Sequence, residues 1–448
     1  MPADALAMAS HFARTRWRLD FRDRAKLEAW QQARLARYLS EVLPRAPRFR
    51  NLTPARLADL PTMDKGAMMA DFHGYNTRGV RLDDAYAIGF QAETTRDFAP
   101  LLGDLTVGLS SGTSGNRGVF LVSPAERRRW AGILLARALP RTLLGRLLTP
   151  WAPALRIAFF LRANSNLYTT LNSRRIDFGF FDLLEGVEPA LSRLNARPPD
   201  VLVGPPSLLR ALAAEARAGR LKIAPRHIIS VAEVLEDSDR QAIHAAFGMA
   251  PHQLYQATEG FLGYTCEHGT LHLNETFVHI EPDWLDATQT RFQPIVTDFT
   301  RETQLIVRYR LNDVLRIAES PCPCGRAERA IAAIEGRADE VLWLPGRTTG
   351  RAVAIYPDLI RRAMLFAGPT VREYDLVQSG MTLSLGLLAE GNPAAARARV
   401  IGELEKLWPT LGVVPPALAF TDWQAPAPGV KRRRVRMNHL PEGLTCTF

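Results

Sequence analysis

The sequence predicts an α/β protein in which helices cover layers of β-sheet, with a smaller domain of mixed α+β structure at the C-terminus. Three observations support this class. The chain has 448 residues, which corresponds to two to four domains of ordinary size. Its hydrophobic content of 47% provides for a large buried core and excludes a disordered chain. From residue 105 onward, apolar segments of strand length alternate with segments of helical periodicity.

Local signals place the elements in the first third of the chain. Leucine and tryptophan at near-helical spacing predict a helix within residues 21–43, and prolines and a glycine break residues 53–70 into short helices and turns. Strands are predicted at 105–109 and 119–122, on either side of a loop rich in glycine, serine and threonine. The capping box at 123–126 has proline in the first helical position, so we expect a helix to begin there.

The rest of the chain changes character twice. Strand signals dominate residues 270–317, and a mixed pattern resumes at 340–448. We therefore expect a large N-terminal domain over residues 1–338, with α/β layers and a β-rich subdomain, and a small α+β domain over residues 339–448. The strands predicted before the β-rich segment are 201–203 and 227–231, and the predicted helices are 208–218, 238–247 and 394–407.

The charge of the chain is a weak guide to its function. Of 56 basic residues only five are lysine, and the net charge is +10. Residues 1–60 hold 12 basic and 6 acidic side chains. No zinc-finger spacing, aromatic RNA-binding motif or basic zipper accompanies them, so nucleic-acid binding is not expected. A solvated basic helix, a nucleotide, a coenzyme phosphate or an acidic carrier protein would account for this charge.

No segment predicts a membrane span or a secretion signal. The most apolar region, residues 130–160, is interrupted by four arginines, whereas a span needs about 20 nearly uncharged residues. The N-terminal residues lack a continuous apolar run. Four cysteines are too few for a disulfide scaffold in a chain of this length. We expect a cytoplasmic, globular protein.

Two motifs indicate phosphate and metal binding. Residues 110–118, Ser-Ser-Gly-Thr-Ser-Gly-Asn-Arg-Gly, offer hydroxyl groups and a backbone that can approach phosphate oxygens. An ordinary hairpin loop has the same composition. In the segment that begins at Tyr255, Thr258 and Glu259 place a hydroxyl beside a carboxylate, which suits a Mg²⁺ ion that bridges phosphates. The alternative interpretation of this pair is a helix start or a solvated turn.

Three further motifs follow in the same chain. Each of them alone is typical of a turn or a charged face: Arg308-Tyr309-Arg310-Leu311-Asn312-Asp313, Gly336-Arg337-Ala338-Asp339 and Gly429-Val430-Lys431. In their order, and together with the two motifs above, they resemble the adenylate-forming superfamily of acyl-CoA synthetases over nearly the whole chain. Residues 60–65, 200–207 and 322–326 resemble most closely its phenylacetate–CoA ligase-like branch.

The resemblance implies an adenylate-forming N-terminal domain with a site for ATP and Mg²⁺. Tyr255 would lie near the adenine, Thr258 would contact the α-phosphate, and Glu259 would bind Mg²⁺. Asp313 would accept hydrogen bonds from the ribose hydroxyls, with Arg337 nearby. The loop that would hold the β- and γ-phosphates contains Ser111, Gly112, Thr113, Ser114 and Gly115.

It also implies a reaction cycle with a mobile C-terminal domain. This domain would pivot at Asp339, and Lys431 would enter the site during adenylation. The candidate catalytic residues are Thr258, Glu259 and Lys431, since a bound Mg²⁺ and an ammonium stabilise charge that grows on phosphoryl oxygens. The candidate residues of the acid pocket are Phe159, Phe160, Tyr168, Phe180, Ala232 and Glu233.

The implied activity is ATP-dependent activation of a carboxylic acid, aromatic or otherwise planar, as an acyl-adenylate. The acyl group would then pass to the thiol of coenzyme A or of a carrier-protein phosphopantetheine. Transfer to an amine, or nucleotide binding without turnover, are the alternatives. The oligomeric state is open, a homodimer being one possibility.

The motifs depart from the family pattern at three places. Asn116 and Arg117 stand where a Pro-Lys pair is usual, and Val430 adds a residue before Lys431. Arginine also binds phosphate, so the first change is compatible with nucleotide binding. No glutamate follows the Tyr-Pro pair at 356–357, which leaves the acceptor open.

Cysteine and histidine occur in two clusters that suit a zinc ion. Thiolates and imidazoles are the ligands of closed, tetrahedral, structural zinc sites. The fourth ligand is expected to be His272, since His268 lies only two residues from Cys266. Buried, inert cysteines are the alternative interpretation. The candidate zinc ligands are Cys266, His272, Cys322 and Cys324.

Overall fold

The computed structural model describes residues 2–52, 54–110, 118–161, 168, 170–368, 370–426 and 432–445. Within these ranges, no helix combines the length and the apolar character that crossing a bilayer requires.

Side-chain caps mark the start of several of the described helices. Asp23 accepts a hydrogen bond from the backbone N–H of Lys26, so the helix predicted within 21–43 begins at Arg24 and continues into a π-helical turn after Arg37. The helices are α1 (Pro2–Ala13), α2 (Arg24–Arg37), α3 (Lys65–Ala70), α4 (Leu82–Thr95), α5 (Pro124–Ala138), α6 (Arg141–Leu148), α7 (Glu188–Ala196), α8 (Pro206–Arg217), α9 (Asp237–Phe247), α10 (Pro357–Phe366) and α11 (Pro393–Leu411).

The described residues also form twenty strands. The strands are β1 (Thr106–Leu109), β2 (Val119–Val122), β3 (Leu155–Leu161), β4 (Ile176–Asp182), β5 (Val201–Gly204), β6 (His227–Ser230), β7 (His252–Ala257), β8 (Gly260–Thr265), β9 (Leu271–Leu273), β10 (His279–Trp284), β11 (Arg291–Thr297), β12 (Tyr309–Arg310), β13 (Asp313–Ile317), β14 (Ala330–Arg337), β15 (Leu342–Pro345), β16 (Ala352–Ile355), β17 (Val371–Ser379), β18 (Thr382–Ala389), β19 (Ala417–Asp422) and β20 (Val435–His439).

One twelve-stranded sheet spans the N-terminal part, in the order β10-β11-β13-β14-β9-β8-β7-β6-β5-β3-β4, with β12 beside β11. Strands β4, β3, β5, β6 and β7 pair in parallel, whereas β7 to β14 pair antiparallel. Every residue of β5 and β6 is buried, as expected for parallel strands covered on both faces. Strand β7 therefore joins the predicted α/β layer to the predicted β-rich subdomain.

The C-terminal part has a hydrophobic cluster of its own. Leu376 and Leu385 of the four-stranded sheet β19-β18-β17-β20 belong to one buried cluster with Leu404 and Trp408 of α11. The predicted α/β class with an α+β C-terminal domain is confirmed. The boundary at 338/339 falls in the 3₁₀ turn Ala338–Glu340 and stays a prediction.

The capping box that begins α5 also fastens this helix to the β-rich subdomain. The Glu126 carboxylate accepts hydrogen bonds from the backbone N–H groups of Ser123 at 2.7 Å, Glu302 at 2.6 Å and Thr303 at 2.9 Å. Burial opposes its ionisation, but the Arg301 guanidinium and these bonds outweigh burial, so the pKa of Glu126 is lowered. One carboxylate thus accepts hydrogen bonds from the N-terminus of a helix and from a distant loop.

We expect Glu126→Ala to lower the free energy of unfolding by about 2–4 kcal/mol, because one buried and two partly buried N–H groups lose their acceptor. Since the folded pKa of Glu126 is depressed, its contribution is complete above its ordinary value of 4.5 and is lost as the pH falls through the folded value. Urea unfolding at pH 7 and at acidic pH measures both effects. The exposed Glu41→Ala is the control; an equal effect of the two variants would contradict this role.

Candidate active site

The candidate site is a cavity of about 860 Å³ at the carboxyl ends of the parallel strands. The chain turns there between strands and helices, and ligands of open α/β sheets bind at this edge. The turn Thr258–Glu259 lies between β7 and β8, where the sheet changes from parallel to antiparallel pairing. The lining includes Lys65, Trp130, Phe159, Tyr168, Ser230, Ala232, Glu233, Tyr255, Thr258, Glu259, Tyr309, Asp313, Arg337, Arg432 and Arg433.

Three predicted nucleotide-binding residues come together from three strands of the twelve-stranded sheet. The buried Tyr255 of β7 donates a 2.6 Å hydrogen bond to the Asp313 carboxylate of β13. Burial and this carboxylate raise the pKa of the Tyr255 phenol, which therefore stays protonated as a donor. Asp313 is paired across the strands with Arg337 of β14. The bond between Tyr255 and Asp313 fixes the orientation of both side chains at the cavity wall.

Two glycines allow this close packing of strands. A Cβ atom on Gly263 of β8 would lie 2.8 Å from the His272 carbonyl oxygen and 3.3 Å from the Tyr255 Cβ. Gly336 precedes Arg337 with a φ of +118°, a conformation that side chains disfavour. Both positions therefore require glycine, and both hold a predicted site residue in place.

The predicted Mg²⁺ ligand lies in a polar corner of the cavity. Thr258 Oγ1 donates a 2.8 Å hydrogen bond to Glu259 Oε2, and the Arg301 guanidinium donates to the Thr258 carbonyl oxygen at 3.3 Å. Burial and the Glu259 carboxylate together raise the pKa of the Tyr309 phenol, which is hydrogen-bonded to Glu259. Carboxylate and hydroxyl oxygens are the donors that Mg²⁺ prefers, so this corner fits the ion.

Lys65 belongs to the site although the sequence motifs assigned it no role. It is the first residue of α3, and its Cε would lie 3.0 Å from a Cβ atom on Gly118, next to the predicted phosphate loop. Burial lowers the pKa of its ammonium, while the Glu259 carboxylate opposes this effect. The rarity of lysine in this arginine-rich chain is the one sequence signal that could have identified it.

Several predicted residues lie outside the described ranges. These are Ser111, Gly112, Thr113, Ser114, Gly115 and Lys431. The described ends of the phosphate loop are closed by two 2.7 Å bonds between Ser110 and Gly118, and the flanking β1 and β2 pair antiparallel. Asp339 lies in the turn Ala338–Glu340, and its side chain is not described.

The acid pocket differs from its prediction at two residues. Phe159 and Tyr168 line the cavity with their ring centroids 4.7 Å apart in a tilted arrangement, and Ala232 and Glu233 line it as well. Phe160 does not, because successive residues of a strand face opposite sides of the sheet; it stacks on Phe181 beneath the other face.

The second difference is Phe180. It is paired with Phe159 across β3 and β4 but lies outside the lining, because β4 is the edge strand of the sheet. Trp130 of α5 takes part instead, with its ring 5.6 Å from that of Tyr168. The sequence did not predict Trp130 in the acid pocket, because helix α5 and the strands of the pocket come together only in the folded chain.

The four candidate zinc ligands form a compact cluster in the β-rich subdomain. Their ligand atoms all lie within 4.8 Å of one another, with 3.6 Å between the Cys266 and Cys322 sulfurs and 3.3 Å between Cys324 Sγ and His272 Nε2. Tetrahedral zinc bound by thiolates implies about 3.7 Å between sulfurs. The Glu328 carbonyl oxygen lies 2.9 Å from His272 Nδ1, which directs Nε2 towards the cysteines.

Comparison with known proteins identifies the fold. No protein-family model and no curated protein matches the sequence. Among solved structures, 2-hydroxyisobutyryl-CoA ligase in the postadenylation state with 2-HIB-AMP is 17% identical and has a TM-score of 0.62, covering 93% of this chain and 89% of its own. An open conformation of that ligase, with 2-HIB-AMP and CoA, has a TM-score of 0.54 at 17% identity, covering 91% and 90%.

Two further structures match the larger part of the chain. The anthranilate CoA ligase AuaEII in complex with anthranoyl-AMP has a TM-score of 0.50 at 13% identity, over 73% of this chain and 66% of its own. The amide bond synthetase McbA from Marinactinospora thermotolerans has a TM-score of 0.51 at 14% identity, over 74% and 68%. The chain shares the fold of these ligases, whereas the adenylate-forming superfamily and its phenylacetate–CoA ligase-like branch stay predictions.

Proposed function

We propose that this protein is an ATP-dependent ligase that activates a carboxylic acid as its acyl-adenylate and transfers the acyl group to a thiol. The observation that carries the proposal is the convergence of Tyr255, Thr258, Glu259, Asp313 and Arg337 on one cavity, at the strand ends of this fold. The structures similar in fold include ligases with bound acyl-AMP and with CoA, which supports the same chemistry here.

The first half-reaction is an in-line substitution at phosphorus. A carboxylate oxygen of the acid attacks the α-phosphorus of ATP, the bond to the β-phosphate oxygen breaks, and pyrophosphate leaves. Negative charge grows on the phosphoryl oxygens, and fixed cations at the cavity stabilise it. Lys65 and Arg337 of the lining are placed for this, and Lys431 would add a third cation. Glu259 and Thr258 would hold the Mg²⁺ ion, which supplies further positive charge when bound.

The second half-reaction uses the activated acyl carbon. A thiolate attacks it, and AMP leaves with the electrons of the broken bond. Coenzyme A or a carrier-protein phosphopantetheine is the proposed acceptor. Transfer to an amine is the second candidate, because the fold also matches an amide bond synthetase.

We further propose an aromatic or planar acid that carries a polar ring substituent. The Trp130, Phe159 and Tyr168 rings form one wall of the pocket, and flat aromatic ligands stack well on such walls. Trp130 Nε1 and Ser230 Oγ are buried and have no hydrogen-bond partner among the described residues. Buried polar groups normally find a partner, which a substituent on the acid would provide.

We also propose that the four-ligand cluster holds a structural Zn²⁺ ion and that the protein is cytoplasmic. Three of the four ligands are buried, and the set leaves no position for a substrate. The cluster joins the end of β8 and strand β9 to the loop that precedes β14.

We expect pyrophosphate exchange into ATP with a subset of a carboxylic-acid library, and strongest with hydroxy- or amino-substituted aromatic acids. Glu259→Gln should lower exchange by about 10²–10³-fold, because the carboxylate that would hold Mg²⁺ loses its charge. The exposed Glu319→Gln should leave exchange unchanged. Tight ATP binding without exchange for every acid would instead favour nucleotide binding without turnover.

Lys65→Met should lower kcat/KM for ATP in the exchange reaction by about 10–100-fold, since the variant keeps the apolar stem but removes a cation at the phosphates. Lys406→Met, on the exposed surface of α11, is the matched control. Circular dichroism should show both variants folded. A loss below threefold for Lys65→Met would exclude a role of this ammonium in adenylation.

Purified protein should contain about one zinc ion per chain, and a chelator should lower its Tm. His272→Ala should abolish zinc binding, whereas His268→Ala, two residues from Cys266 but outside the cluster, should retain it. Metal analysis by mass spectrometry measures both. Zinc-free protein of unchanged Tm, after expression in zinc-supplemented medium, would favour inert cysteines.

A further inference from the structure

A buried network of ion pairs holds the segment after Lys431 against the N-terminal domain. Arg432 pairs with Asp239 of α9 at 2.7 Å, and Arg434 pairs with Glu236, which directly precedes α9, and lies 3.7 Å from Asp239. Asp239 is 0% exposed and Arg434 is 3% exposed. Two arginines of the chain's most basic segment, separated by one residue, thus pair with carboxylates of the N-terminal domain.

The same network includes a strand of the C-terminal domain. Glu373 of β17 pairs with Arg434 at 2.9 Å and with Arg210 of α8 at 3.4 Å. Arg210 also pairs with Asp239 at 3.2 Å and donates to the Arg372 carbonyl oxygen at 2.7 Å. Arginines and carboxylates from both domains therefore alternate around Asp239 and Glu373.

Ion pairs make this contact reversible in a way that an apolar contact would not be. Buried charges are stable only while each has its partner, so the network forms as a whole in one relative orientation of the domains. After separation, water solvates each charge, whereas an exposed apolar patch would favour aggregation. Such a contact would suit the mobile C-terminal domain that the family resemblance implies.

The position of the network connects it to the reaction. Arg432 is the residue next to Lys431 in the sequence, and Arg432 and Arg433 themselves line the cavity. Arg433 pairs with Glu340 at 2.9 Å, beside the proposed hinge residue Asp339. All three arginines that directly follow Lys431 are thus anchored by ion pairs to carboxylates.

We propose that Glu236 and Asp239, together with Glu373, are positioning residues that hold the Lys431 segment at the cavity for adenylation through Arg432 and Arg434. The same ion pairs break before acyl transfer. This inference rests on the proposed function for its catalytic meaning, but the network itself is independent of it. It assigns a role to the arginine run that follows Lys431.

The test uses two variants. Asp239→Asn keeps the shape of the side chain but removes the charge that the N-terminal domain contributes to the network. Glu373→Gln removes the charge that the C-terminal domain contributes to the same arginines. Arg436→Gln is the matched control, because Arg436 pairs with Asp375 within the C-terminal domain at the surface. Pyrophosphate exchange reports adenylation, and transfer from synthetic benzoyl-adenylate to coenzyme A reports the second half-reaction.

We expect exchange to fall by about 10–100-fold in both variants, since a small misplacement of a catalytic group has this effect. Transfer from the synthetic adenylate should stay within about threefold, because this step does not need the network. The control should change neither rate. An equal loss in both half-reactions would indicate a merely structural role, and unchanged exchange would overturn the proposal.

Trypsin provides a measurement that does not depend on activity. Cleavage after Arg432 and Arg434 should be at least tenfold faster in Asp239→Asn and Glu373→Gln, relative to cleavage after the exposed Arg197 of the same chain. If the unaltered protein exchanges pyrophosphate with no acid, the proposed function is wrong. The ratio of the two cleavage rates then still tests whether the ion pairs hold the segment in place. An unchanged ratio would overturn it.

Discussion

The pairing of strand β7 on both of its edges is the constraint on which the site depends. β7 pairs in parallel with β6 and antiparallel with β8, so it belongs to both halves of the twelve-stranded sheet. Tyr255 lies within this strand, and the turn at Thr258 and Glu259 follows directly. Because both neighbours fix β7, Tyr255 meets Asp313 from the β-rich side at the edge where the α/β layer ends. A cavity between two such halves can hold a nucleotide against one and an acid against the other.

Arginine forms buried ion pairs in two settings in this chain: within the N-terminal part, and between the C-terminal segment and helix α9. Arg137 is 7% exposed and pairs with Glu328 inside the N-terminal part, where it replaces apolar packing with a buried hydrogen-bonded pair. Arg432 and Arg434 instead join two domains. The guanidinium is suited to both, because its planar fork forms several hydrogen bonds and stays charged when buried. The net charge of +10 therefore includes arginines that stabilise the fold itself.

The motifs could be predicted from the sequence because each is a local pattern, and the capping box at Ser123 shows how far this reaches. Its hydrogen bonds form as expected, yet the further bonds from Glu126 to residues 302 and 303 could not be predicted. The same limit applies to the acid pocket. Phe159 and Phe160 are adjacent in the sequence, but the strand turns one towards the cavity and the other away from it. The alternation along a strand shows which residues share a face, but it does not show which of the two faces is turned towards the cavity.

By itself, the sequence determined the α/β class, the start of α5, the candidate residues for nucleotide binding, and the four cysteine and histidine residues that cluster in the β-rich subdomain. These rest on short-range patterns and on spacing. The tertiary structure decided what depends on contacts between distant segments. It brought Lys65 next to Gly118, added Trp130 to the pocket, and paired Asp239 with Arg432. Such contacts form only when the sheet and the two domains come together, because no local periodicity encodes which distant side chains will share a buried space.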